Sequence, residues 1–168
     1  MAENIELVQI SSDRWEEYKA IRLKALADNP YSFDASPDEE LGLTDEEWKD
    51  RLSDPNAFRV FAQVDGKLVA KVEVDWKSSR KISHVAEVYG VYIDPEYRGQ
   101  RLGGKLMTEI ETLAKAHGIR KLWLDVVTTQ EPAMSLYRSA GFREVGRLEQ
   151  ATYVNGQYYD KLLMEKLI

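Results

Sequence analysis

Cysteine is absent from the sequence, which removes disulfides and thiolate metal sites at once. Histidine is nearly so: only His84 and His117 occur, too few for a histidine-rich centre, so no metal is expected. Long apolar runs are missing too, none approaching the ~18 residues of a membrane span. The acidic start MAENIELVQ has neither the basic nor the apolar region of a secretory leader, and a cytoplasmic location without membrane attachment is the expectation. Positive charge is the scarcer sign. A net charge of −6 argues against a general nucleic-acid binder, whose affinity comes from neutralising phosphates, and is compatible with a cationic substrate.

What is present is ordinary for a globular chain. Hydrophobic residues make up 43% and charged residues 31%. At 168 residues one domain, 1–168, is expected, burying roughly 70% of its unfolded surface.

IELVQI alternates as a first strand, and SSDRWEEYKAIRLKALAD puts Trp15, Tyr18, Ile21 and Ala25 on one helical face, capped by Ser12 or Asp13. NPYSFDASPDEELGL, with two prolines, reads as an exposed loop. TDEEWKDRL opens with Thr44 and Glu47 in capping-box spacing and reads as a second helix. FRVFAQV and LVAKVEVDW alternate around Asp65-Gly66, a hairpin signal. HVAEVYGVYI is a strand interrupted by Gly90, where a bulge is expected. Leu102, Leu106, Ile110 and Leu113 form a helical stripe stopped near Gly118, and RKLWLDVV is an apolar strand. EPAMSLYRSAGF carries Ala133, Leu136, Tyr137 and Ala140 on one face, between Pro132 at its start and Gly141 at its end. Two last strands meet at Asn155-Gly156. The order β-α-α-β-β-β-α-β-α-β-β predicts a mixed α/β domain with a strand–helix–strand crossover between antiparallel hairpins.

EYRGQRLGGKL holds Gly99, Gly103 and Gly104 among Arg98, Arg101 and Lys105, at the mouth of a helix. A helix start offers N–H groups without intrahelical acceptors and the positive end of its dipole, so an anion that can approach the backbone binds there. Glycines permit that approach and the basic side chains add charge-assisted bonds. A solvated basic loop is the plainer alternative. The Walker A spacing fails because Leu106 stands where a hydroxyl is needed, and no G-x-G-x-x-G occurs, which leaves a pyrophosphate cradle of another kind.

VYGVYIDPEYRGQRLGGKLM followed by LWLDVVTTQEPAMSLYRSAGF resembles the GNAT superfamily of N-acetyltransferases. Asp94-Pro95 matches the family's turn, and Arg98 to Gly103 its phosphate loop. Ala133, Leu136, Tyr137, Gly141 and Phe142 match its second signature. The resemblance implies the GNAT fold: a mixed sheet of about seven strands and four helices, with strands 4 and 5 splayed around acetyl-CoA. It further implies that the backbone of Val91, Tyr92 and Ile93 and the loop Arg98, Gly99, Gln100, Arg101, Leu102, Gly103, Gly104 and Lys105 bind the cofactor, with Gln130 and Tyr137 near its pantetheine end. Two residues depart from the motif. Arg101 stands where a glycine is usual, and a right-handed backbone is expected there because arginine with positive φ is strained. Gln130 stands for an asparagine.

The implied chemistry is attack of a neutral amine on the thioester. Tyr137 is the matching acid for the departing thiolate. Glu87 is the candidate base, set by alternation on the same face as Tyr89, Val91 and Ile93, and a water chain or Asp125 are the alternatives. His84 is expected on the surface. The acceptor site is expected between the first helices, their connecting loop and the last hairpin, with Phe33 and Tyr153 as walls and Tyr31, Trp48 and Tyr158 as further candidates. Asp34, Asp38, Glu39 and Glu40 either attract an ammonium or form a solvated loop. The acceptor is a small primary amine, a protein N-terminus or lysine; a catalytically silent CoA-binding module is the alternative from another class. A monomer, or a homodimer through YYDKLLMEKL, completes the expectation.

Overall fold

The computed structural model describes residues 4–168, and the sheet it contains is ordered β1-β2-β3-β4-β5-β7-β6. The strands are β1 (Ile5–Val8), β2 (Ala57–Val64), β3 (Lys67–Trp76), β4 (Val85–Ile93), β5 (Lys121–Val127), β6 (Arg143–Val154) and β7 (Gln157–Leu167). The helices are α1 (Trp15–Asp28), α2 (Pro37–Leu41), α3 (Asp45–Ser53), α4 (Leu102–Ala116) and α5 (Glu131–Ser139). All neighbouring strands are antiparallel except β4 and β5, which α4 connects in parallel. Among the described residues no helix is long and apolar enough to cross a membrane.

Local chemistry accounts for most boundaries. Asp65-Gly66 and Asn155-Gly156 both have two successive positive φ angles, as the tightest hairpin turns require. Thr44 and Glu47 make both bonds of the capping box that starts α3. Gly118 and Gly141, at φ +78° and +91°, end α4 and α5.

Three expectations need correction here. The first helix begins at Trp15 after a 3-10 turn over Ser12–Arg14, with no side-chain cap. The segment expected as a loop contains the short helix α2, started by a Ser36–Glu39 capping box with Pro37 in the first turn, which adds a fifth helix among the described residues. The third correction concerns β4 and is given with the site.

The sheet is covered on both faces. One face packs against α4 and α5 through Phe58, Val60, Val72, Val88, Leu106, Ile110 and Tyr137. The other packs against α1 and α3 through Tyr18, Ile21, Trp48, Phe61 and Tyr92. Under α1 this second face also holds charge: Lys71 and Glu73, two residues apart on β3, are both buried there with Arg22 and Arg59.

Candidate active site

The site begins with a defect in β4. Lys71 pairs with Tyr92 and Glu73 with Tyr89, so Val72 faces two residues, Gly90 and Val91. Gly90 has φ +62°, and a Cβ there would lie 2.8 Å from both Glu73 Oε1 and Lys71 Nζ. Only glycine fits, on conformational and on steric grounds. Lys71 Nζ donates to the Gly90 carbonyl at 2.9 Å and also binds Glu73, which pins the bulge from the α1 face.

The extra residue inverts alternation along the rest of the strand. Val91 and Ile93 pack toward α4 and α5, whereas Tyr92 joins the α1 cluster and Tyr89 donates to Asp75 at 2.7 Å, beside Arg59. Glu87 and Tyr89 therefore do not share a face with Val91 and Ile93, contrary to the alternation read from the sequence.

β4 and β5 pair only at Val85–Lys121, Ala86–Leu122 and Glu87–Trp123, after which they diverge. The edge of β4 that faces β5 has no strand partner from Val88 onward. It borders a cleft of about 760 Å³ that reaches from the Gly99 loop to Phe33. An extended ligand with amide groups can pair with such an edge as an added strand would.

At one end of the cleft lies the start of α4. Its first helical bond runs from Lys105 N–H to the Arg101 carbonyl, so the amides of Leu102, Gly103 and Gly104 have no intrahelical acceptor. Gly99 has φ +78°. Arg101 has φ +58° and ψ 19°, a left-handed conformation, which overturns the right-handed one expected for a non-glycine residue. That backbone costs on the order of 1 kcal/mol and makes the turn into α4 that a glycine would make more easily. The two glycines at the helix start differ in role. A Cβ on Gly103 would lie 2.9 Å from Leu136, so this glycine lets α5 approach α4, while Gly104 is exposed with open space around it. Arg98 donates through Nε to the Ile93 carbonyl at 3.0 Å.

At the other end the cleft is lined by Phe33, Asp34, Glu87, Tyr89, Asp125 and Lys161, with Arg22 behind them. Lys161 of β7 donates to Asp34 at 2.6 Å and lies 3.0 Å from Asp125, tying the α1–α2 segment to β5. Burial, then the negative charges of Asp125, Asp75 and Asp34, raise the Glu87 carboxyl above its ordinary range, with Lys161 opposing. Tyr137 also lines the cleft, its ring edge-on to Phe142 with centroids 6.2 Å apart. Burial, then Asp125, raise the phenol well above its ordinary value, so it stays protonated at any physiological pH.

Of the residues expected at the cofactor, Val91, Tyr92, Ile93, Arg98, Gly99, Arg101, Leu102, Gly103, Gly104, Gln130 and Tyr137 all border this cleft; Gln100 and Lys105 are exposed outside its lining. The Tyr92 side chain is turned away, donating to Asp28 at 2.6 Å, so only its backbone reaches the cleft. Phe33 is in the wall as expected. Tyr153 is not: it stacks on Tyr158 at the tip of the β6–β7 hairpin, 62% exposed. Trp48 is fully buried in the α1–α3 core, and Tyr31 pairs with Tyr159 away from the cleft. Glu39 is spent on its capping box and Glu40 on Arg22 and Arg51, leaving Asp34 as the member of that acidic run that lines the cleft. His84 is exposed, as expected. Sequence reading missed Arg22 and Lys161, whose positions in the cleft come from tertiary packing.

A parallel strand pair that parts at a bulge, over a helix start freed by glycines, is the arrangement expected of the family named above. The profile described as Acetyltransferase (GNAT) family matches residues 9–142. The chain belongs to the GNAT family.

An L-amino acid N-acetyltransferase of Escherichia coli is 28% identical over 126 residues, 74% of this chain and 77% of that one. The N-alpha-acetyltransferase RimI of Mycobacterium tuberculosis is 31% identical over 105 residues, 62% and 64% of the two chains. Among solved structures, a GNAT acetyltransferase from Streptococcus pneumoniae superposes with a TM-score of 0.87 at 25% identity, covering 98% of this chain and 99% of the other. A Salmonella typhimurium protein solved with acetyl-CoA has a TM-score of 0.78 at 16% identity, covering 98% and 94%, and supports the fold.

As a GNAT protein the chain is an acyltransferase that uses acetyl-CoA. The free amides of α4, with Gly99 and Arg101 leading into them, suit a pyrophosphate, and the unpaired edge of β4 suits the two amides of a pantetheine arm.

Proposed function

We propose that this acetyltransferase acts on the primary amine of a small molecule. An alkylammonium has a pKa near 10.4, so a proton must leave before the nitrogen can attack. Glu87, through a water, takes it; a carboxyl raised by burial is a better base than an exposed one. The amine lone pair then adds to the thioester carbonyl carbon, and a backbone N–H near Val91 steadies the oxygen that gains charge. Collapse breaks the C–S bond. The nitrogen, cationic after the attack, gives up its second proton; the departing thiolate takes the Tyr137 proton, that second proton restores the phenol, and Glu87 returns the first one to solvent.

The observation that carries this reading is that Glu87, Tyr137 and the unpaired edge of β4 border one cleft. A small acceptor is favoured because the α1–α2 segment walls the acceptor end and Lys161 holds it there. A protein N-terminus is the second reading, supported by the name of the Mycobacterium relative.

The test is calorimetric titration with acetyl-CoA of the wild type and Gly104→Asp, followed by an amine screen that detects free CoA thiol. Gly104 has nothing within 4 Å of a Cβ, and an acid in the first helical turn is itself favourable, so the variant folds. The wild type should bind and the variant should bind at least ~10-fold more weakly, a loss of about 1.4 kcal/mol. Equal affinity would remove the phosphate from α4, and thiol release with peptides alone would replace the small amine by the second reading.

A further inference from the structure

We infer that the acceptor carries a carboxylate close to its amine, and that Arg22 binds that carboxylate. The inference rests on the small-amine reading above and narrows it to amino acids and their analogues.

Arg22, in α1, is 8% exposed yet lines the cleft. Its Nη2 donates to Glu40 Oε1 at 3.0 Å. Nη1 lies 3.9 Å from Glu73 Oε1, beyond hydrogen-bond range, and both Nη1 and Nε are buried with no hydrogen-bond partner. Buried guanidinium donors are costly to leave unpaired, so two of them at a ligand cleft call for an acceptor from outside the protein. The Phe33 ring, itself part of the cleft wall, lies over the guanidinium at 5.1 Å.

The position suits the chemistry. Glu73 Oε1 is 2.8 Å from where a Gly90 Cβ would be, and the same oxygen is the one nearest Arg22 Nη1. Arg22 is thus two contacts from the bulge beside which the thioester must lie.

Charge points the same way. The buried cluster under α1 holds Arg22, Arg59 and Lys71 against Glu40 and Glu73, with the partly exposed Arg51 and Asp75 at its edge. Cations exceed carboxylates. Burial and then the positive charges of Arg22 and Arg59 hold Lys71 down at about 8, against the pull of Glu73. An added carboxylate relieves that excess. Across the cleft the balance is reversed: Glu87, Asp34 and Asp125 surround the single ammonium of Lys161. A cleft with opposite excesses on its two sides matches a zwitterion better than a simple amine or a polyamine.

The test compares acetylation of the common L-amino acids with that of their carboxamides and their decarboxylated amines, by release of CoA thiol. The wild type should favour at least one free amino acid over its amide and amine by roughly 10- to 150-fold in kcat/KM, the value of a hydrogen bond to a charged group. Arg22→Gln should collapse that ratio toward one, mainly through KM, and Arg22→Lys should restore part of it. Circular dichroism and acetyl-CoA affinity report whether the variants are folded; if they are not, the wild-type ratio alone decides. Amides or amines used as well as acids, or an unchanged ratio in folded Arg22→Gln, would overturn the carboxylate and leave the acetyltransferase reading standing. No turnover with any small amine would overturn both.

Discussion

Replacing Gly90 by alanine tests the bulge on which the cleft depends. Two costs separate cleanly. The first is conformational: φ is +62°, and a side chain in the left-handed region costs about 1–2 kcal/mol. The second is steric and electrostatic. The new methyl would sit 2.8 Å from Glu73 Oε1 and from Lys71 Nζ, neither of which is the free end of an exposed chain, since Lys71 is 0% and Glu73 1% exposed. Moving that pair disturbs a fully buried charge network, and overpacking of this kind costs a further ~1–3 kcal/mol. The total is about 2–5 kcal/mol, or roughly 5–15 °C in Tm for a domain of this size.

Gly66→Ala is the control. Its φ is +81°, but nothing lies within 4 Å of its Cβ, so only the conformational cost applies, about 1–2 kcal/mol. Thermal unfolding of the two variants without ligand gives the difference directly. Gly90→Ala should unfold at the lower temperature and should also have a raised KM for acetyl-CoA, whereas Gly66→Ala should bind normally. Equal losses of Tm would refute the close approach of Lys71 and Glu73 to the bulge.

Tyr137→Phe keeps the ring against Phe142 and should lower kcat by about 10²–10⁴ while leaving acetyl-CoA affinity alone; a change below threefold would mean that the thiolate leaves without this acid. In Glu87→Gln the acid limb of the kcat/KM profile, set in the wild type above the ordinary glutamate pKa, should disappear. The same variant should raise Tm at neutral pH. The folded pKa of Glu87 is above its unfolded value, so the folded state binds the proton more tightly and stability falls as pH rises through the folded pKa. Arg101→Gly should gain about 1 kcal/mol by relieving the left-handed backbone, partly offset by the freer unfolded chain, and an accompanying loss of acetyl-CoA affinity would place the guanidinium on a phosphate.

Where chemistry is local, the fold was legible. Asp-Gly and Asn-Gly turns, the Thr44–Glu47 box and the glycine stops of α4 and α5 each depend on neighbouring residues, and each occurs as read. The helix α2 was readable too, in the Ser36–Pro37–Glu39 spacing, but the prolines around it argued for a loop. Three features depend on distant partners and left weaker traces. The bulge at Gly90 was anticipated, yet its consequence, that Val91 and Ile93 turn away from Glu87 and Tyr89, follows only once the register with β3 is known. The left-handed Arg101 contradicts its own intrinsic preference, which tertiary context overrides at the turn into α4. Arg22 and Lys161 sit at the acceptor end because α1 and β7 bring them there from opposite ends of the chain. The trace that was available is in LVAKVEVDW: Lys71 and Glu73 interrupt an apolar strand at a spacing of two, so both point to the same face and must pair or be wet.

That pair bears on why the cleft is built as it is. Buried ion networks are an inefficient way to stabilise a fold, and apolar residues of similar volume often do as well or better. Stability alone therefore does not explain three buried cations and two buried carboxylates packed under α1. Their geometry offers another account. Lys71 accepts full burial while donating to the Gly90 carbonyl, so the network grips the backbone at the residue where β4 gives up its partner. Glu73 then anchors Lys71, Arg59 and the Tyr18 hydroxyl at once, and Arg22, which borders the cleft, keeps two donors without a partner. An apolar core could fill this space, but it could neither pin a carbonyl nor present unpaired N–H groups to a ligand. The same charges that pin the bulge thus reach the Arg22 side of the cleft, which ties the geometry proposed for the cofactor and the acceptor proposed for Arg22 to one buried cluster.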